Sequence, residues 1–125
     1  WEIGGELITR YPLGIGYKNS SFLRNFSSEI PPQLTHFHNN LINITVETGW
    51  ISLMIFLWWL YLLLKTSFSG LRRTPESILR AAIGSAVISW QIAGTVEYNF
   101  GDSEVWLIVL LLTGLLAFSS RPART

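Results

Sequence analysis

The sequence has no cysteine, so the chain can form no disulfide bond and offers no cysteine ligand or nucleophile. Charge is also scarce, because Asp, Glu, Lys and Arg make up 14% of the 125 residues, against roughly 25% in soluble domains. The net charge of +1 is too balanced to indicate nucleic acid as a partner. Residues 1–10 lack the basic cluster and the apolar stretch of a signal peptide.

What the chain has in quantity is apolar surface. Hydrophobic residues make up 49% of the sequence, and six residues are Trp. Combined with the low charge, this composition is typical of an integral membrane protein. The sequence begins without Met, inside a pattern that already indicates a helix, so we expect a fragment from the C-terminal part of a longer protein. That helix should end at Tyr11, because Pro12 cannot continue it, and residues 13–32 have the composition of a loop.

A second helix is predicted just before the first long apolar stretch. Thr35 can cap a helix that begins near His36. On that helix Asn39, Asn43 and Glu47 are four residues apart, so their side chains would share one face.

Three apolar stretches predict membrane-spanning helices at about 45–68, 78–96 and 104–118. The second is the weakest, since its small and polar residues suit contact between helices better than contact with lipid. We therefore expect an all-α fold, a polytopic transmembrane helix bundle of about three membrane helices plus an outward-facing loop segment. The predicted divisions are 1–44 for the loop segment with short helices, 45–120 for the membrane helices and 121–125 for a tail.

The basic residues predict the orientation of these spans. Those near the first hairpin turn and after the third span fall on one side, which the positive-inside rule assigns to the cytoplasm. His36, His38 and the acidic turn 97–104 then face outward, and the C-terminus lies inside. The basic residues that carry this prediction are Lys65, Arg72, Arg73, Arg80, Arg121 and Arg124.

Two histidines stand where the chain enters the first apolar stretch, and polar groups in such a position indicate a functional site. A histidine can accept a proton from a hydroxyl near neutral pH, so His38 is a candidate general base. The alternative is an interfacial histidine that caps a helix or contacts lipid headgroups. A metal site of His36, His38 and Glu47 is a further alternative, but it requires loop backbone, because residues two apart point to different faces of a helix. We expect no metal and no cofactor.

Charged side chains elsewhere on the outward side are candidates for substrate contact. Positive charge on the outward side is contrary to the positive-inside rule, and three basic residues are predicted to lie there: Arg10, Lys18 and Arg24. The planar guanidinium of Arg can bind a phosphate through two parallel hydrogen bonds. The alternative for each is a solvated loop charge. The segment 14–16 lacks the third glycine of a nucleotide fingerprint and indicates a turn. Four residues of the acidic turn either line the outer mouth of the same cavity or merely connect two spans: Glu97, Tyr98, Asp102 and Glu104.

The sequence His38-Asn39, followed by nine residues and Gly49, with Glu47 just before that glycine, resembles the O-antigen ligase and polymerase superfamily of bacterial envelope proteins. Two further segments are similar to the same family: the Pro-Leu-Gly-Ile-Gly turn at 12–16 and the segment 97–104 before a last apolar stretch.

The resemblance implies a multi-pass enzyme of the bacterial inner membrane, of which this chain would hold the last three helices and the end of a large periplasmic loop. It implies transfer of glycan from undecaprenyl-pyrophosphate to an acceptor hydroxyl, on lipid A-core, on a growing glycan or on a protein. His38 would be the catalytic base, facing the periplasm, and the pyrophosphate would leave without a metal. Membrane lipids would surround the spans, and substrate contacts would come from His36, Asn39, Arg24, Arg10, Lys18 and Glu47.

Two departures from the family pattern leave the acceptor open. After Gly49 the ligase pattern has a second glycine and a threonine, where this chain has Ser52 and Leu53. The arginines of the family lie further upstream, so Arg10 and Arg24 are candidates by location only. Ligase, polymerase and protein glycosyltransferase remain alternatives. So do two non-enzymatic classes, a membrane subunit or transporter module and a plain structural anchor.

Overall fold

The computed structural model describes residues 2–26, 30 and 35–120. Within these residues the chain is all-helical and has no strand, which confirms the predicted all-α class. The four α-helices are α1 (Glu2–Arg10), α2 (Asn40–Phe68), α3 (Pro75–Ala93) and α4 (Ser103–Ser119). The predicted tail 121–125 lies outside the described residues.

The described part of the segment before α2 contains more helix than the loop predicted there. Helix α1 ends at Arg10, as Pro12 requires, and a 3₁₀ helix, Asn19–Asn25, follows inside the predicted loop. Both helices bury apolar side chains against the first turns of α2. The buried members of this cluster are Leu7, Ile15, Leu23, Ile30, Phe37 and Val46. It therefore anchors the segment before α2 to the first part of that helix.

Helix α2 begins four residues later than predicted, and its cap is a different residue. Asn39 has extended backbone and accepts a hydrogen bond from the Ile42 amide at 3.0 Å. Thr35 does not cap the helix; its hydroxyl lies 3.2 Å from Nδ1 of His36. Asparagine is at least as good a cap as threonine. Here the Asn39 side chain also donates to the carbonyl of Thr95, in the turn after α3, at 3.2 Å.

Inside α2 the helical backbone is interrupted at Gly49, where φ is 80° and ψ is 178°. The interruption would leave carbonyls without helical partners, and the turn at 12–16 supplies the missing donors. The amides of Ile15 and Gly16 donate to the carbonyls of Val46 and Glu47, each at 2.9 Å, while the Trp50 amide donates to Pro12 at 3.1 Å. The predicted turn is thus a clamp that satisfies the backbone of a broken helix.

Helices α2 and α3 form a close antiparallel hairpin. Thr74 caps α3 by accepting a hydrogen bond from the Ser77 amide at 3.3 Å. A Cβ on Gly84 would lie 2.7 Å from side-chain atoms of Ser67 and Phe68, so the two helices touch where the glycine leaves room. The buried residues between α2, α3 and α4 are Leu63, Ile83, Val87 and Leu116.

Among the described residues, α2 is the one helix that is both long and apolar enough to cross a membrane, and α4 is a shorter apolar helix. The helices cover most of the three stretches predicted to be spans, although α3 ends at Ala93, before the predicted boundary at 96. The arrangement of three spans stays a prediction.

Candidate functional site

Asn40, the first residue of α2, attaches the turn that follows α3 to the beginning of α2. The Asn40 amide donates to the carbonyl of Gly94 at 2.7 Å. Its side-chain oxygen accepts from the amides of Asn99 and Phe100, at 3.1 and 3.0 Å, and its side-chain nitrogen donates to Asn99 Oδ1 at 2.8 Å. Asn40 is 1% exposed, so these bonds are shielded from water. The consequence is that residues 94–100 are held against residues 35–40.

This attachment brings one carboxylate to both histidines. Oε1 of Glu97 lies 3.0 Å from Nδ1 of His38 and 3.5 Å from Nε2 of His36. A carboxylate accepts hydrogen bonds only, so in the neutral His38 ring the proton is on Nδ1 and the lone pair is on Nε2. The ring is 59% exposed, so Nε2 can be reached from outside.

Glu97 carries a negative charge in this arrangement. The amide of Tyr98 donates to Oε1 of Glu97 at 2.9 Å, and together with the His38 bond it lowers the pKa of the Glu97 carboxyl below its usual value. Donors that stabilise the carboxylate favour its charged form. The pair is therefore an imidazole oriented by a carboxylate, an arrangement that general-base catalysis uses.

A cavity of about 390 Å³ is lined by His36, whose Nε2 lies 3.5 Å from Glu97 Oε1, whereas His38 and Glu97 themselves are not among its lining residues. Three of the residues predicted to bind substrate line it, namely Lys18, His36 and Glu47. Of the four candidates in the acidic turn, Tyr98 and Asp102 line it as well, whereas Glu97 and Glu104 do not. The remaining lining residues are Thr35 and Gly101. Segments far apart in the sequence thus contribute to one polar cavity.

Glu47 forms the buried wall of this cavity. The residue is 2% exposed, and its carboxylate accepts the Tyr98 hydroxyl at 3.5 Å. Burial, followed by the charge of Glu47, raises the pKa of Tyr98 to about 12. The phenol therefore stays protonated at neutral pH and can act as a donor. The Gly49 interruption lies just behind Glu47, so the clamp at 12–16 also fixes the backbone at this wall.

The remaining predicted contacts lie away from the cavity. Arg10 ends α1 with its guanidinium 5.8 Å from the Tyr11 ring, and Arg24 is exposed on the 3₁₀ helix. Asn39 uses its side chain for the fold, since it caps α2 and donates to the Thr95 carbonyl at 3.2 Å. Neither arginine lines the cavity, whereas Lys18 does.

The two histidines do not lie on a helix, which changes the geometry expected for a metal. Residues 35–39 precede α2, and in this non-helical segment the two rings lie 4.8 Å apart between centroids. One nitrogen of each ring and one Glu97 oxygen all lie within 4.8 Å of one another. The carboxylate in this group is Glu97, not the Glu47 considered from the sequence. Sequence reasoning missed this pairing because 59 residues separate His38 from Glu97; the acidic turn was the one signal for it.

The geometry defines a class first: a helical protein with a carboxylate-oriented imidazole and a polar cavity at the beginning of a long apolar helix. The chain is 32% identical over 125 residues to a Rickettsia felis protein named "Putative polysaccharide ligase". Proteins of Rickettsia typhi and Rickettsia prowazekii with the same descriptive name are each 29% identical over 122 residues.

These similarities cover most of this chain but little of the relatives. The Rickettsia felis match covers 89% of this chain and 30% of that protein, and the other two cover 87% and 29%. The chain thus spans about 30% of the length of the curated relatives it matches. No family model matches the chain, and no solved structure gives a significant match.

Proposed function

We propose that this chain is part of a membrane glycosyltransferase of bacterial surface polysaccharide assembly, which moves glycan from undecaprenyl-pyrophosphate to an acceptor hydroxyl. The observation that carries the proposal is the contact of 3.0 Å between His38 Nδ1 and Glu97, next to His36, which lines a polar cavity. The names of the rickettsial relatives, polysaccharide ligases, support the same theme. In this proposal α2, α3 and α4 span the inner membrane, and His36 and His38 face the periplasm.

His38 is the general base in the proposed reaction. Its Nε2 accepts the proton of the acceptor hydroxyl while that oxygen attacks the anomeric carbon of the donor sugar. The bond from this carbon to the pyrophosphate oxygen breaks, and the pyrophosphate leaves with the bonding electrons. Glu97 accepts a hydrogen bond from Nδ1–H of His38. This bond keeps the lone pair of the ring on Nε2, which faces the acceptor hydroxyl, and the carboxylate stabilises the imidazolium that forms.

The residues that line the cavity suit the two polar parts of such a donor, its pyrophosphate and its sugar. Lys18 supplies a positive charge toward the pyrophosphate, and Glu47 and Tyr98 offer an acceptor and a donor for sugar hydroxyls. Arg10 and Arg24 are proposed to add positive charge nearby. A second cavity, of about 340 Å³, has a mainly apolar lining between α2 and α4 and suits the polyprenyl chain; its residues are Ser52, Ile55, Phe56, Trp59, Trp106 and Leu110.

The acceptor is proposed to be lipid A-core, as in a ligase, because the relatives carry that word in their names. A growing glycan or a protein hydroxyl would use the same base and the same leaving group. A transporter module is less favoured, because a polar path would have to cross the helices. On α3 the hydroxyls of Ser85 and Ser89 bond instead to the carbonyls of Ala81 and Ser85, at 2.9 and 3.0 Å.

The test is glycan transfer by the full-length protein from the polyprenyl-diphosphate donor. His38→Ala should lower kcat by about 10²–10⁴-fold, which is the usual contribution of a general base. Glu97→Gln should lower kcat with little change in KM, because it removes orientation and charge but not binding. Glu104→Gln is the matched control, since it makes the same chemical change in the first turn of α4, where the carboxylate contacts Ser103 and neither histidine, and it should behave as wild type.

Unchanged transfer by His38→Ala, at a normal membrane level, would contradict the role of His38 as base. Equal losses for Glu97→Gln and Glu104→Gln would contradict a specific pairing of Glu97 with His38. Absence of transfer by the wild type from any lipid-linked donor would favour the non-enzymatic classes.

A further inference from the structure

The nitrogen and oxygen atoms of His36, His38 and Glu97 have the spacing of metal ligands. Zinc binds histidine nitrogen and carboxylate oxygen at about 2.0–2.1 Å, so two donors in a tetrahedral site are about 3.3 Å apart. The observed distances from Glu97 Oε1 are 3.0 Å to His38 Nδ1 and 3.5 Å to His36 Nε2. The group as a whole falls within 4.8 Å. The third edge, between the two histidine nitrogens, is at most 4.8 Å long and would have to shorten to about 3.3 Å on metal binding. The side chains that would move, those of His38 and Glu97, are more than half exposed.

The other nitrogen of His36 is already placed as it is in metal sites. Nδ1 of His36 lies 3.2 Å from the Thr35 hydroxyl. With a metal on Nε2, the proton of the neutral ring is on Nδ1 and is donated to this oxygen. Such outer hydrogen bonds fix the tautomer and the orientation of ligand histidines.

We propose that His36, His38 and Glu97 form a binding site for one divalent transition metal ion of the zinc type, with water as the fourth ligand. Two imidazoles and one carboxylate are the ligand set of known His₂Glu zinc sites, whereas calcium and magnesium prefer oxygen ligands throughout. The site is at the surface, because the side chains of His38 and Glu97 are 59% and 57% exposed. The ion can therefore exchange with the surrounding solution.

Bound metal inhibits the transfer reaction, a consequence that rests on the proposed function. A metal on Nδ1 of His38 leaves the proton of the neutral ring on Nε2, so Nε2 can no longer accept a proton from the acceptor hydroxyl. The same ion takes the Glu97 carboxylate that orients the ring. Zinc is thus an inhibitor of the site and not a participant in the transfer.

Metal binding is tested directly with Co²⁺, whose visible absorption reports tetrahedral ligation, on the full-length protein in detergent. Wild type should give a saturable spectrum that Zn²⁺ abolishes by displacement. His36→Ala and Glu97→Gln should each weaken Co²⁺ binding at least about tenfold, since even outer-sphere changes cost that much. Glu104→Gln should bind as wild type. A spectrum that is absent in wild type, or is the same in all four proteins, overturns the site.

Inhibition is measured as a separate readout. Zn²⁺ should suppress transfer by wild type over the range in which it displaces Co²⁺, and a chelator should restore the rate. The Zn²⁺ concentration that halves the rate of each protein should be at least about tenfold higher for Glu97→Gln than for wild type. Transfer that persists at saturating Zn²⁺ overturns the inhibition. A protein that binds Co²⁺ but transfers no glycan without metal supports the site and contradicts the proposed function.

Discussion

At the scale of single residues, Asn40 is the side chain on which the candidate site depends most. It accepts from the amides of Asn99 and Phe100 and donates to Asn99 Oδ1 while 1% exposed. Asn40→Ala leaves two backbone amides without partners, and each orphaned group costs about 1–3 kcal/mol. We expect the free energy of unfolding to fall by about 2–4 kcal/mol, measured by thermal or denaturant unfolding in detergent.

The control for this prediction is Asn25→Ala. Asn25 is an exposed asparagine at the end of the 3₁₀ helix, and its replacement should change stability by less than about 0.5 kcal/mol. If the two variants unfold alike, the bonds of Asn40 do not hold the turn 94–100 in place.

Tyr98 provides a prediction about pH. Its pKa is raised to about 12, first by burial and second by the charge of Glu47. Between pH 10 and 12 the unfolded chain loses the phenolic proton while the folded chain keeps it, so the stability of the fold falls as pH rises through this window. Difference absorbance between wild type and Tyr98→Phe should show a phenolate that forms near pH 12. Glu47→Gln should lower this pKa, and titration near 10 in wild type would contradict the geometry.

Single residues also show what the sequence could predict about the site. His36 and Glu47 are predicted from the cost of polar groups beside an apolar stretch, and Lys18 from its positive charge on the outward side; these three residues line one cavity. The pairing of Glu97 with His38 could not be predicted, because it depends on how α3 returns the chain to the beginning of α2. Local sequence allows either Thr35 or Asn39 to cap α2. Asn39 is the cap in the structure, where its side chain also donates to the carbonyl of Thr95, a residue distant in sequence.

At the scale of elements, the interruption of α2 at Gly49 is the feature to test. A Cβ at this position would lie 2.6–2.7 Å from backbone atoms of Pro12 and Leu13, and a φ of 80° with ψ of 178° is a region used almost only by glycine. Gly49→Ala should therefore lower the free energy of unfolding by at least about 1–3 kcal/mol. Transfer should fall as well, because the clamp fixes Glu47.

Gly114→Ala is the matched control for this prediction. Gly114 lies inside α4, where an added Cβ meets nothing within 4 Å. Alanine in a helix is favoured over glycine by about 1 kcal/mol, so this variant should be as stable as wild type or more so. An equal loss of stability in both variants would contradict a special role for the backbone at Gly49.

Helix positions were more predictable than helix boundaries. The apolar stretches predicted helices that overlap α2, α3 and α4, because long apolar runs have few alternatives. The interruption at Gly49 was not predicted, since a single glycine in an apolar run gives no local sign of a broken backbone. It becomes intelligible only with the turn at 12–16, whose amides replace the lost helical donors.

At the scale of the whole molecule, the exposed apolar surface is the dominant feature. Large apolar side chains on the outer faces of α2 and α4 are exposed, among them Ile51, Ile55, Trp58, Leu107 and Leu111. Contiguous apolar surface of this kind requires lipid or further protein to cover it. Since the chain spans about 30% of the length of its relatives, both kinds of cover are consistent with the proposed membrane enzyme.

The proposed topology can be tested with cysteines introduced into this chain, which has none of its own, in a full-length protein whose other cysteines have been replaced. Arg73→Cys and Asp102→Cys place single thiols in the turn before α3 and in the turn before α4, both exposed. If α3 crosses the membrane with the basic turn in the cytoplasm, an impermeant maleimide should label Asp102→Cys in intact spheroplasts and Arg73→Cys only after the membrane is opened. The reverse pattern would invert the orientation and place His38 in the cytoplasm, away from a periplasmic donor. Labelling of both in intact spheroplasts would mean that α3 does not span, and the three-span arrangement would then be wrong.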